Sequence, residues 1–79
     1  MPTFYFDVEE DELFRDEEGC EFDDLHVACI EAHRALAEIA AGYPMEKNVR
    51  HIRMNVRDQR GDNVITAELL LSVQVKTSY

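Results

Sequence analysis

Arg15-Asp16-Glu17-Glu18-Gly19-Cys20-Glu21-Phe22-Asp23-Asp24-Leu25 joins a turn, a helix cap and a helix start in one short stretch, and the fold is read outward from it. Glu17-Glu18-Gly19 supplies the turn, because Gly19 lacks the Cβ that bars positive φ. Asp23 or Asp24 then offers a carboxylate to the unpaired amides of a first helical turn, where the helix dipole also favours negative charge. Over residues 25–41, at about 100° per residue, Leu25, Ala28, Cys29, Ala32, Ala35, Leu36 and Ile39 share one side. Glu31, Arg34 and Glu38 lie opposite, spaced so that unlike charges meet. Gly42 reads as the C′ residue that ends this helix, and Pro44 forbids its continuation.

The flanking segments have the period of strands. Residues 3–8 are aromatic and β-branched, with Phe4, Phe6 and Val8 on one face. The acidic run 9–12 reads as a loop, and residues 13–16 resume a short second strand. From Val49 the period is again two: Ile52, Met54 and Val56 alternate with His51, Arg53, Asn55 and Arg57. Residues 58–63 are turn formers, and residues 65–75 alternate as a long last strand. The order is ββαββ, which predicts an α+β two-layer sandwich: a mostly antiparallel four-stranded sheet with one helix packed on one face. The other sheet face is left to solvent or a partner, with Tyr5, Phe14, Leu70 and Tyr79 expected on it.

At 79 residues the chain has room for one small domain, residues 1–79. Aliphatic and aromatic residues make up 46% of it, enough for a globular core beside 32% charged residues. The two cysteines, Cys20 and Cys29, are too few for a disulfide scaffold. Neither a signal peptide nor a membrane-spanning run is evident, so a soluble cytoplasmic protein is expected. Net charge is −9, unevenly spread: residues 1–46 carry 14 acids against two bases, or −12, and residues 47–79 carry six bases against three acids, or +3. An anion of this size disfavours nucleic acid and anionic membranes as partners.

The chain resembles a family of short bacterial proteins grouped as a domain of unknown function. The likeness rests on the opening Met1-Pro2-Thr3-Phe4-Tyr5-Phe6-Asp7-Val8, on Arg15-Asp16-Glu17-Glu18-Gly19 with Glu21 and Asp24-Leu25, on Ala28, Glu31 and Ala32 of the helix, and on Val56-Arg57-Asp58 with Gly61. It covers nearly the whole chain and implies the ββαββ architecture and a bacterial cytoplasmic origin, with no activity to carry onto any residue. The hairpin, glycine turn, acidic cap and alanine-rich helix are also distantly similar to the ββαβ module of HicB-type antitoxins.

Few residues offer chemistry. His26, Cys29 and His33, three and four positions apart, are the candidate metal ligands; helix geometry instead puts Cys29 toward the core and the histidines on its flank. The acidic clusters lack calcium-loop spacing and read as solvated charge, turn and cap. No serine or threonine sits in a nucleophile motif, and the three glycines are isolated, so no phosphate loop is present. No catalytic residue, cofactor or metal is therefore assigned. Arg50, Arg53, Arg57 and Arg60 remain, with Arg53 and Arg57 on the outward strand face, suited to acids of this chain or of a second copy.

These features predict a non-enzymatic protein-interaction or self-associating module. Its candidate contacts are Arg50, Arg53, Arg57, Leu70, Tyr5, Val27 and Ile30. The alternatives are a HicB-like regulatory or nucleic-acid-linked domain, and a metal-responsive protein using His26, His33 and Cys29.

Overall fold

A computed structural model describes residues 1–42 and 48–77. The elements are β1 (Thr3–Glu9), β2 (Leu13–Phe14), β3 (Cys20–Glu21), α1 (Leu25–Gly42), β4 (Val49–Arg57) and β5 (Asn63–Ser72). All strand pairs are antiparallel and run in the order β2-β1-β4-β5, with β3 also paired to β1. The α+β architecture with a helix on one sheet face is as expected.

The expected second strand, residues 13–16, is shortened to Leu13–Phe14, and a further short strand at Cys20–Glu21 makes the sheet five-stranded where four strands were expected. Phe14 pairs with Val8 and Cys20 with Phe4, so five residues of this segment face three of β1, and the surplus loops out. Asp16 organises the loop: its Oδ2 accepts the Phe6 N–H at 3.0 Å, and its Oδ1 accepts those of Glu18 and Gly19 at 3.0 and 3.1 Å. Residues 15–16 therefore leave the strand, and β2 is only Leu13–Phe14. Gly19 closes the loop at φ 74°, as the turn requires. A Cβ there would lie 2.8 Å from both Thr3 Cγ2 and Tyr5 Cε1.

The cap is Asp24, whose Oδ1 accepts the Val27 N–H at 3.0 Å. Gly42 is the last helical residue and does not take positive φ, in contrast to the C′ role expected of it; Pro44 lies outside the described residues. α1 packs on β4 and β5, while Phe22 covers β1, its ring 6.4 Å from that of Phe4 and 5.8 Å from that of Phe6.

The buried core is Phe4, Ala28, Ala32, Leu36, Ile52, Met54 and Val56. Alanine at positions 28 and 32, both fully buried, brings the helix backbone close to the sheet. Two residues expected in the seam are outside it, for Leu25 and Cys29 are exposed. The contact stripe drifts from Ala28 and Ala32 toward Leu36 and Ala40 along the helix, so near its start the contact side is centred on Ala28, and positions 25 and 29 lie to one side of it and face solvent. Phe14, expected on the open face, sits opposite Val8 and so shares the helix side. The last strand ends at Ser72, short of residue 75: the Val73 N–H still reaches the Asn48 carbonyl at 2.7 Å, and no backbone partner follows among the described residues.

Candidate functional site

The strand register assigns the sheet faces. Tyr5, Asp7 and Glu9 of β1, with His51, Arg53, Asn55 and Arg57 of β4 and Thr66, Glu68 and Leu70 of β5, stand on the face without a helix. That face is largely polar and internally paired. Arg57 Nε donates to Asp7 Oδ2 at 2.6 Å, Arg57 Nη2 reaches Asp7 Oδ1 at 3.1 Å and the Asp16 carbonyl at 2.8 Å, and the guanidinium lies 5.0 Å from the Tyr5 ring centroid. The Asp16 N–H completes the knot by donating to Asp7 Oδ1 at 2.9 Å.

The electrostatics follow from these bonds. The hydrogen bond from Arg57 holds the Asp7 carboxyl below its ordinary range, with the Asp16 N–H adding to it against burial. For Asp16, burial pushes the pKa up, but the N–H groups of Phe6, Gly19 and Glu18 together outweigh it and the net shift is downward. A second group joins His51 Nε2 to Glu68 Oε2 at 2.8 Å, with Arg53 Nε 3.3 Å from Glu68 Oε1. The Arg53 contact is a charge contact and not an aligned hydrogen bond, since Nε has no hydrogen-bond partner. Bonding to His51, then the charge of Arg53, depresses the Glu68 pKa.

Arg50 stands apart from the outward stripe. It points to the helix side, is 9% exposed, and forms a two-pronged pair with Glu10, both contacts at 2.8 Å, while Nη1 donates to the Ala40 carbonyl at 3.3 Å. One guanidinium thereby fastens the β1–β2 turn to the end of the helix. Arg50, Arg53 and Arg57 each lie against a carboxylate, so the stripe is locally neutralised. Arg60 lies exposed in the β4–β5 turn, where Asp58 Oδ1 accepts the N–H groups of Arg60 and Asp62.

His26, Cys29 and His33 are exposed along the helix. Among the described residues no group of three or more His, Cys, Asp or Glu side chains is placed to hold a metal ion. Val27 and Ile30 are exposed on the helix, Tyr5 is half-buried beneath Arg57, and Leu70 is 70% exposed on the open sheet face. Tyr79 lies outside the described residues.

The two sheet margins differ sharply. On one, β2 and β3 are two-residue strands separated by a loop and fringed by Glu12, Glu17, Glu18 and Glu21; short, interrupted, charged strands resist the addition of another chain. On the other, β5 runs ten residues with β4 as its one strand partner among the described residues. Its single charge, Glu68, is already bound inward to His51 and Arg53. Alongside it lies an apolar groove of about 480 Å³ between Leu36, Ala37 and Ala40 of the helix and Leu69 and Leu71 of the strand. Sequence alternation identified β5 as a strand but carried no sign that it would be an edge.

A small two-layer α+β domain with one guarded and one bare sheet margin is what these residues build. The chain belongs to the family described as Domain of unknown function (DUF6894), which matches residues 3–70. No curated protein and no solved structure matches it. No helix among the described residues is long and apolar enough to cross a membrane.

Proposed function

We propose that the protein is a non-enzymatic interaction module of a bacterial cytoplasm, and that it works by accepting an extended strand along the free margin of β5. The observation that carries this reading is the bare ten-residue edge. Its outward N–H and C=O groups are a template for strand addition, and the half-buried Leu69 and Leu71 with the adjacent groove supply pockets for alternate side chains. Two exposed, unbridged thiols, Cys20 and Cys29, suit a reducing compartment. Nucleic acid is not the proposed partner, because the outward arginines face carboxylates of their own chain.

The test is a photo-crosslinking residue placed at Leu70, beside the free margin, with one at Phe14 on the guarded margin as control. Covalent adducts from position 70 and none from position 14 are expected in cells making the protein. Absence of any adduct from position 70 overturns the reading.

A further inference from the structure

We propose that the strand accepted by β5 is β5 of a second copy of this chain, the two running antiparallel about a two-fold axis centred on Ala67; this rests on the edge reading above. A two-fold axis perpendicular to the sheet reverses strand direction and keeps both helices on the same side. The result is one continuous sheet with two-layer packing throughout and a self-complementary interface.

Charge favours a copy of the chain over a basic or acidic stranger. β5 carries one charge in ten residues, and that charge is satisfied within its own sheet. The acids of the N-terminal hairpin and its loops lie at the opposite margin, so pairing through β5 keeps the two acidic fringes far apart and weakens their screened repulsion.

Register follows from the same residues. Centring the axis on Glu68 would set two carboxylates directly opposite, which is unfavourable in an antiparallel pair. Centring it on Leu69 would leave Asn63, Val64 and Ile65 without partners in β5. Centring it on Ala67 pairs all of β5 except Ser72. In that register Glu68 faces Thr66, Ile65 faces Leu69, and Val64 faces Leu70, joining two residues that are 36% and 70% exposed in the single chain.

Native mass spectrometry from low to high micromolar concentration should show a species of twice the 9.2 kDa chain mass. The double variant Val64→Lys with Leu70→Lys sets lysines opposite each other at two places. It should raise the dissociation constant about tenfold or more while the circular dichroism spectrum and low-concentration Tm stay unchanged, since both sites are exposed. Mixing Val64→Glu with Leu70→Lys chains should yield the mixed dimer in excess over either pure dimer, because only the mixed pair brings the introduced carboxylate of one copy opposite the introduced ammonium of the other.

A wild-type chain that stays monomeric at high micromolar concentration overturns self-pairing. If position 70 still crosslinks to a different protein, the interaction reading stands without it; if it crosslinks to nothing, both fall. A dimer indifferent to the double lysine variant places the interface elsewhere and also overturns the proposal. Random pairing in the mixing experiment overturns the Ala67-centred register.

Discussion

The Asp16 N–H donates to Oδ1 of Asp7 at 2.9 Å, so two acidic side-chain sites nine positions apart are joined by a backbone donor and not forced apart by their charges. Arg57 supplies the countercharge to Asp7 from β4. One knot thus ties the looped edge strand, β1 and the inner strand together.

Both carboxyls are held below their ordinary range, and this fixes the sign of an acid effect. Their contribution to stability is complete above the unfolded value near pH 4 and is lost as pH falls through the lower folded values. Asp7→Asn should therefore be less stable than the parent at pH 7, and its Tm should fall less steeply between about pH 4 and pH 2. Thermal melts across that range check it; parallel curves for parent and variant would refute it.

Gly19→Ala meets two penalties, a positive φ of 74° and a Cβ 2.8 Å from Thr3 Cγ2 and Tyr5 Cε1. A loss of about 1–3 kcal/mol in denaturant unfolding is expected. Gly61→Ala, also at positive φ (89°) but with open space around it, should cost less. A reversed order between the two would mean that the Tyr5 contact does not constrain the loop.

Glu10→Ala should lower stability by about 2 kcal/mol. That is below the 3–5 kcal/mol expected for removing one partner of a fully buried pair, because Glu10 is partly exposed and the Ala40 carbonyl still receives Arg50. Hydrogen exchange should quicken at the β1–β2 turn and in the last helical turn together. Faster exchange in only one of them would contradict the clamp.

Asp24→Ala removes the acceptor of the Val27 N–H and should cost about 1 kcal/mol, whereas Asp23→Ala should change stability little. Paired urea titrations distinguish the two aspartates, which the sequence alone left as equivalent caps.

The helix was legible because its signals are local: a cap, a periodic alanine seam, and charges three and four apart. The β4–β5 hairpin was legible for the same reason, with strict alternation on both sides of Asp58 to Asn63. The broken edge strand was not, because Asp16 leaves its strand for amides and carboxylates that lie ten and nine positions away. Alternation already set Arg50 on the inward face with Ile52, Met54 and Val56, but its partner Glu10 is forty positions away, so the pair itself was not legible. Cys29 fits the seam by angle, yet which side of that turn is covered depends on how the helix crosses the sheet, and the covered side is that of Ala28.

The looped, acid-fringed margin of β2 and β3 also sets a limit on size. A sheet open on both sides propagates, each added chain presenting a fresh template, and ends as a ribbon or fibre. Here the second template is spoiled by the detour around Asp16, so the proposed assembly is self-terminating at two chains. The residues that interrupt an otherwise ordinary hairpin are, on this reading, what keeps a chain with an unprotected strand from polymerising.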